Sequence, residues 1–118
     1  MNTTTMFGIK NCDTIKKAQK WLTTQDISFT FHDYRKDGIE HQWLVNVCKE
    51  LGWQNVLNKR GTTFRQLDDS TKEAMDESLA IKCMLDAPAM IKRPILYTNG
   101  NYYLGFKQTD YETLFGKS

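Results

Sequence analysis

The chain has 118 residues, which is long enough for one domain with a hydrophobic core and too short for two ordinary domains. Hydrophobic residues make up 40% of it and charged residues 25%, a composition that argues against a disordered or low-complexity protein. The net charge is +2 without a block of like charges, and neither a signal peptide nor a membrane-spanning apolar run occurs. The sequence therefore predicts a cytoplasmic, single-domain protein.

The first third of the chain predicts a β-α-β unit. Residues 4–9 are typical of a strand, residues 13–24 of a helix, and the segment ISFTFHDY of a second strand with apolar residues at alternate positions. The apolar stripe of the helix consists of Ile15, Ala18, Trp21 and Leu22. A unit of this kind requires two parallel strands joined by a right-handed crossover.

Residues 40–87 predict a helical insert. An amphipathic helix covers 40–51 and ends at Gly52, and a short helical piece follows it. The segment STKE, which begins at Ser70, is typical of a capping box. It predicts a further helix that runs, with a break, to just before Pro88.

The last third of the chain returns to strands. Residues 95–98 and 102–106 are rich in strand-forming side chains, and the Asn99-Gly100 pair between them predicts a tight hairpin. Thr109 and Glu112 then predict a capping box and a closing helix. The order β-α-β, helices, β-β-α predicts an α/β, thioredoxin-like fold: a mixed four-stranded sheet flanked by helices, with the helical insert at about 40–87.

Cys12 lies at the junction between the first strand and the first helix. A helix start offers unpaired N–H groups and the positive end of the helix dipole, and both favour a thiolate. Lys10 and Lys16 act in the same direction, whereas the neighbouring Asp13 acts against it. From position alone, a small buried residue in a tight turn is an equally good interpretation.

Cys48 and Cys83 fall on apolar helix faces, which is typical of thiols that fill a core. The three cysteines form no C-x-x-C motif, and neither histidine is spaced to form a zinc site with them, so we expect no disulfide framework and no metal. Glycine-rich nucleotide motifs are absent, and the C-x5-R cradle is excluded because position 18 is Ala18. No tightly bound cofactor is expected.

Two arginines lie at breaks in the predicted elements. Arg60 lies in the glycine-broken turn NKRGTTFR, and Arg93 directly precedes Pro94 where a strand begins. From the pattern alone Arg93 is a solvated surface charge. The bond before Pro94 is expected to be trans, because only about 5–6% of such bonds in folded proteins are cis.

Three separated motifs give the chain a family resemblance: GIKNCDT at 8–14, NKRGTT at 58–63 and IKRP at 91–94. Together and in this order they resemble the arsenate reductase ArsC/Spx family, and within it most closely the YffB-type proteins. The resemblance implies a thioredoxin-like fold with a helical insert, a nucleophilic cysteine at position 12 and a cis proline. It also implies substrate- or glutathione-binding roles for Lys10, Asn11, Arg60, Arg93 and Pro94.

The chain departs from its relatives in two respects. Arsenate reductases carry a histidine where this chain has Gly8, and a third arginine where it has Phe106 or Lys107. Spx-type regulators carry C-x-x-C, and here the fourth position of that motif is Ile15. Without a resolving cysteine nearby, an external thiol must complete any redox cycle that begins at Cys12.

These features predict a glutathione-dependent thiol-disulfide reductase that acts as a monomer, with glutathione as co-substrate. Glutaredoxin is a second candidate thiol partner, and the substrate is a small-molecule or protein thiol or disulfide; no nucleic-acid or membrane partner is expected. Two alternatives stay open. One is an arsenate reductase linked to glutathione or glutaredoxin, and the other is an Spx-like module that binds RNA polymerase without catalysis.

Overall fold

The computed structural model describes residues 4–10 and 12–116, so that the predicted binding residue Asn11 lies outside the described residues. The described chain forms two compact units. The sheet unit comprises the described parts of Met1–Asp33 and Arg93–Ser118, and the helical unit comprises Tyr34–Lys92. Within the described residues, every helix is too short or too polar to cross a bilayer.

The strands lie toward the two ends of the chain, and helices fill its middle. In chain order the elements are β1 (Thr5–Gly8), α1 (Asp13–Thr24), β2 (Thr30–Asp33), α2 (Tyr34–Asp37), α3 (His41–Leu51), α4 (Trp53–Val56), α5 (Thr62–Arg65), α6 (Asp69–Glu73), α7 (Glu77–Asp86), a 3-10 turn (Pro88–Met90), β3 (Ile95–Thr98), β4 (Asn101–Leu104) and α8 (Gln108–Phe115).

The sheet unit contains a four-stranded mixed sheet in the order β2-β1-β3-β4. The β1 strand runs parallel to β2 and antiparallel to β3, and β4 pairs antiparallel with β3. The hairpin between β3 and β4 turns at Asn99 and Gly100, whose φ angles of 54° and 80° are in the left-handed region that this turn requires. The predicted α/β, thioredoxin-like fold is confirmed.

The core of the sheet unit lies between the sheet and the predicted apolar stripe of α1. The periodicity of about 3.6 residues per turn brings the four stripe residues to one face, and all of them are buried. The fully assembled cluster consists of Met6, Ile15, Ala18, Trp21, Leu22, Leu96 and Tyr111. The rings of Trp21 and Tyr111 meet edge to face with centroids 5.7 Å apart, which packs α8 against α1.

The helical unit contains the predicted insert of about 40–87 and extends beyond it in both directions. Its longest helix, α3, buries an apolar face and ends at Gly52, which has a positive φ of 89°. Two backbone hydrogen bonds join the end of α4 and the residues after it to the segment that precedes β3. Asn58 N–H donates to the Met90 carbonyl at 2.7 Å, and Lys92 N–H donates to the Val56 carbonyl at 2.8 Å.

Both predicted capping boxes are wrong in register. Asp68, rather than Ser70, caps α6, because its carboxylate accepts from Thr71 N–H at 2.8 Å and is a stronger acceptor than a hydroxyl. A second acidic cap, at Asp76, begins α7 after the predicted break. The starts of α6 and α7 are therefore both fixed by a carboxylate.

The closing helix begins differently from the prediction. Thr109 lies inside α8, whose N-cap is Lys107 and which has no side-chain cap. Instead, Phe106 before the cap and Tyr111 in the first turn pack edge to face with ring centroids 4.7 Å apart. This is the hydrophobic staple arrangement, and it sets the helix start by packing rather than by a capping hydrogen bond.

Candidate active site around Cys12

Cys12 is the N-cap residue of α1 and is half-buried. Its backbone is extended, with φ −108° and ψ 128°, and its carbonyl accepts the first helical hydrogen bond from Lys16 N–H at 3.0 Å. The N–H groups of the first turn have no partner within the helix. The chain therefore places the thiol where the backbone of α1 offers hydrogen-bond donors, as the position of Cys12 predicts.

The surroundings of Cys12 favour its thiolate. Burial is the strongest single influence on the pKa of the Cys12 thiol and raises it, but the N–H groups of Ile15 and Thr14 act in the opposite direction. The Cys12 side chain does not cap the helix with a hydrogen bond of ordinary geometry. The N–H groups of Ile15 and Thr14 nevertheless face the sulfur and stabilise negative charge on it. Together with the Arg93 side chain they hold the pKa of Cys12 below its ordinary value.

Arg93 is the residue that the fold brings to Cys12 from far along the sequence. It is half-buried, and its guanidinium is a hydrogen-bond donor and a positive charge beside the Cys12 thiol. The surface-charge interpretation of Arg93 is therefore wrong, since a residue that precedes β3 meets the start of α1. The planar guanidinium suits an anion, whether a thiolate or a ligand carboxylate.

The peptide bond between Arg93 and Pro94 is cis. The family resemblance implied this geometry, whereas the residue pattern alone favoured trans. Pro94 is buried, and its carbonyl accepts from Gly105 N–H at 2.8 Å. This hydrogen bond joins the segment before β3 to the segment that follows β4.

Gly8 and Ile15 pack closely under the same site. Gly8 ends β1 and is buried, and a Cβ atom built on it would collide with Cδ1 of Ile15. The same Cβ would lie 3.1 Å from Cγ1 of Ile15 and 3.9 Å from Cβ of Arg93. The sequence marked these positions only as departures from the relatives, and it carries no signal of their mutual contact.

The structure does not place Lys10 among the described groups that act on the Cys12 thiol. Lys10 is exposed in the turn that leads to Cys12. Arg60 belongs to the helical unit and is exposed, and its N–H donates to Oδ1 of Asn58 at 3.2 Å across a turn. The ligand-binding roles of both residues stay predictions.

The other two thiols have raised pKa values. Cys48 lies in the core as predicted, and burial, aided by the Glu77 carboxylate, raises its pKa to about 11. Cys83 is half-buried; burial and then Asp86 raise its pKa, against an opposing effect of Lys82. Among the described cysteines, Cys12 alone has a lowered pKa.

His32 is less exposed than its strand pattern predicts. It occupies a polar position of the alternating pattern ISFTFHDY, yet it is half-buried, and its ring centroid lies 5.1 Å from that of Phe7. The alternation of β2 is therefore less complete than the pattern indicates. In the ranges 4–10 and 12–116, no three histidine, cysteine or acidic side chains come together as a metal site.

The mixed sheet, the β-α-β start and a thiol at the N-cap of the first helix define a thioredoxin-like protein of the thiol-reductase type. The chain belongs to the ArsC family, whose model matches residues 7–114. The resemblance to the ArsC/Spx family that the three motifs predicted is confirmed.

Similar proteins cover nearly the whole chain. A solved YffB protein is 48% identical, with a TM-score of 0.90 over 94% of this chain and 97% of that one. An arsenate reductase (ArsC) related protein from Brucella melitensis is 43% identical, with a TM-score of 0.79 over 96% and 94% of the two chains. The global transcriptional regulator Spx of Streptococcus mutans is 25% identical over 90% of this chain and 78% of its own length.

Proposed function

We propose that the protein is a glutathione-dependent thiol-disulfide reductase with Cys12 as its nucleophile. The observation that carries the proposal is the contrast among the thiols: donors from α1 and Arg93 lower the pKa of Cys12, whereas the pKa values of Cys48 and Cys83 are raised. A thiolate is the reactive form of cysteine. Membership of the ArsC family and similarity to an arsenate reductase related protein support redox chemistry in broad terms.

The proposed reaction has two exchange steps. The Cys12 thiolate attacks the glutathione sulfur of a mixed disulfide, forms a Cys12–glutathione disulfide and releases the substrate as a thiolate. The thiolate of a second glutathione then attacks the glutathione sulfur bound to Cys12. Glutathione disulfide leaves and the Cys12 thiolate is restored, so that the two electrons gained by the substrate come from glutathione. Glutaredoxin is an alternative thiol donor for the second step.

The residues around Cys12 suit a peptide-like anion. Arg93 pairs with a carboxylate of glutathione in this proposal, because the guanidinium already faces the reacting sulfur. Pro94 is buried and its carbonyl accepts from Gly105, so in this proposal it shapes the site by fixing the backbone next to Arg93. Lys10, Asn11 and Arg60 are further proposed ligand-binding residues. A reducing cytoplasm would supply the glutathione, and a monomer suffices for this chemistry.

An NADPH-coupled assay tests the proposal. The purified protein is given glutathione, glutathione reductase and a glutathione mixed disulfide of a small thiol, and NADPH oxidation is followed. Cys12→Ser is expected to lose all activity above the uncatalysed rate, because serine cannot form the mixed disulfide. The matched control Cys83→Ala, which removes a half-buried thiol with a raised pKa, is expected to retain activity. Full activity in Cys12→Ser would overturn the proposal.

The same assay examines arsenate reduction, which the similarity to an arsenate reductase related protein raises as a second candidate. Arsenate replaces the mixed disulfide as the oxidant. Weak or absent turnover is expected, since this chain has Gly8 and either Phe106 or Lys107 where arsenate reductases carry site residues. Arsenate turnover that exceeds disulfide turnover would reverse the order of the two candidates.

A binding function is the third candidate, and the similarity to Spx over most of the chain favours it. A pull-down against the RNA polymerase α subunit discriminates it from catalysis. Binding that Cys12→Ser leaves unchanged, in a protein without reductase activity, would establish the Spx-like alternative.

A further inference from the structure

Gly8 is needed for the space that it leaves empty rather than for its backbone freedom. It is not among the glycines with positive φ in the described chain, so another residue could adopt its backbone conformation. A side chain is the obstacle, because its first carbon would collide with Cδ1 of Ile15. A side chain at position 8 therefore requires the side chain of Ile15 to shift.

Ile15 has little freedom to move out of the way. Its side chain is fully buried in the core cluster with Met6, Leu22 and Leu96. A close-packed interior transmits such a displacement instead of absorbing it. A side chain at position 8 would therefore push on Ile15 and, through it, on the first turn of α1.

That first turn is part of the site. The N–H of Ile15 is the strongest of the groups that favour a thiolate at Cys12, and the Arg93 side chain is the next. Ile15 is the residue with which a Cβ at position 8 would collide, whereas Cβ of Arg93 would lie at an ordinary contact distance of 3.9 Å. The packing against Gly8 and the electrostatics around the sulfur are therefore linked through Ile15.

We propose that Gly8 is a positioning residue whose missing side chain lets Ile15 hold its backbone N–H at the Cys12 sulfur. Gly8 and Ile15 form a matched pair in which the size of one fixes the size of the other. The inference deepens the proposed thiol chemistry and rests on it, because it assigns to Gly8 an effect on the reactivity of Cys12.

The test measures the pH dependence of alkylation at Cys12 by peptide mass spectrometry in four proteins. They are the wild type, Gly8→Ala, Ile15→Val and the double variant Gly8→Ala/Ile15→Val. Valine lacks the Cδ1 atom with which the new Cβ collides. Cys48 serves as the internal reference, since its burial keeps it unreactive as long as the protein stays folded.

In Gly8→Ala we expect alkylation of Cys12 near pH 7 to slow several-fold, with its pH profile displaced upward and Cys48 still protected. The double variant is expected to return to the profile of Ile15→Val alone. An unchanged Cys12 profile in folded Gly8→Ala would overturn the proposal, as would a double variant that differs from Ile15→Val as much as Gly8→Ala differs from wild type.

The design keeps the inference falsifiable if Gly8→Ala does not fold, because the double variant and Ile15→Val still form a matched pair. It also separates this inference from the reductase proposal. Alkylation needs neither glutathione nor a substrate, so an inactive protein with the expected profiles would contradict only the proposed function. An active protein with four identical profiles would contradict only the role of Gly8.

Discussion

Burial acts on both Cys12 in the sheet unit and Cys48 in the helical unit, yet the pKa values of the two thiols shift in opposite directions. Burial is the largest influence on the pKa of both thiols, and in both it disfavours the charged form. At Cys12 the N–H groups of the first turn and Arg93 outweigh it, so the pKa falls. At Cys48 no such donor acts among the described groups, Glu77 adds to the effect of burial, and the pKa rises to about 11.

The difference comes from the position of each thiol on its helix. Cys12 precedes α1, where the first N–H groups lack helical partners. Cys48 lies inside α3, shares its buried face with Leu44 and Val47, and has a carbonyl that accepts from Gly52 N–H at 2.8 Å. In a helix interior the backbone donors are already engaged. Whether a buried thiol becomes reactive therefore depends on the hydrogen-bond donors that its place in the fold leaves available.

Removing Arg93 should have the largest effect among changes that leave both thiols in place. In Arg93→Met the charged donor beside Cys12 is lost while the length of the side chain is largely kept. A hydrogen bond to a charged group contributes about 1.5–3 kcal/mol, so we expect kcat/KM for the mixed disulfide to fall about 10- to 100-fold. The pH profile of Cys12 alkylation should move upward together with it.

Arg60→Met is the matched control for Arg93→Met. Arg60 is an exposed residue of the helical unit, and in the proposed function it binds the ligand rather than the thiol. We expect a higher KM for the glutathione-linked substrate with an unchanged alkylation profile. Equal effects of the two substitutions on that profile would break the distinction between a residue that tunes the thiol and one that binds the ligand.

Much of the fold could be predicted because its signals are local. The bounds of α1 and β3 and the hairpin turn at Asn99-Gly100 agree with the prediction, since stripe periodicity and turn chemistry depend on neighbouring residues. The two predicted capping boxes are wrong because neighbouring residues also offer ways to begin a helix. The carboxylate of Asp68 takes the place of Ser70, and the staple between Phe106 and Tyr111 replaces a cap.

Less of the candidate site than of the fold could be predicted from the sequence. The position of Cys12 at the start of α1 is a local feature and could be predicted. The approach of Arg93 and the contact between Gly8 and Ile15 depend on how β1, β3 and α1 pack, and no periodicity encodes them. The family resemblance indicated that Arg93 matters, whereas only the structure shows which atoms it faces.

The burial of Cys48 should make the stability of the protein depend on pH in the alkaline range. Its folded pKa of about 11 lies above the value of about 8.5 for a free thiol, so the folded state holds the proton more tightly. The stability that this contributes is complete below about pH 8.5 and is lost as pH rises toward 11. Allowing for solvent screening, we expect a loss on the order of 1 kcal/mol between about pH 8.5 and 10.

Denaturant unfolding of wild type and Cys48→Ala at several pH values provides the measurement. The variant should be less stable at neutral pH because of the cavity, and the difference should shrink as the solution becomes alkaline. Parallel pH curves for the two proteins would show that Cys48 is not the group responsible. The pKa of Cys48 would then not be raised by burial, and the contrast with Cys12 would not hold.

The smallest expected effect comes from Tyr111, a buried polar group that has no hydrogen-bond donor or acceptor to offset its burial among the described residues. Its hydroxyl has no hydrogen-bond partner among the described residues, and burial raises its pKa. Tyr111→Phe should raise the free energy of unfolding by up to about 1 kcal/mol, because it removes an unpaired polar atom from the core. The half-buried Tyr103 is the control, and Tyr103→Phe should change stability by less than about 0.5 kcal/mol. Destabilisation by Tyr111→Phe would contradict this prediction and show that the Tyr111 hydroxyl forms a hydrogen bond in solution.

The pH dependence of alkylation of all three thiols in the reduced wild-type protein, mapped by peptide mass spectrometry, most directly tests whether the fold makes Cys12 a thiolate. We predict an apparent pKa for Cys12 below that of a free thiol measured under the same conditions, with Cys48 and Cys83 reacting only at higher pH. An apparent pKa for Cys12 at or above the free-thiol value would contradict this claim, because the donors of α1 and Arg93 would then fail to offset burial.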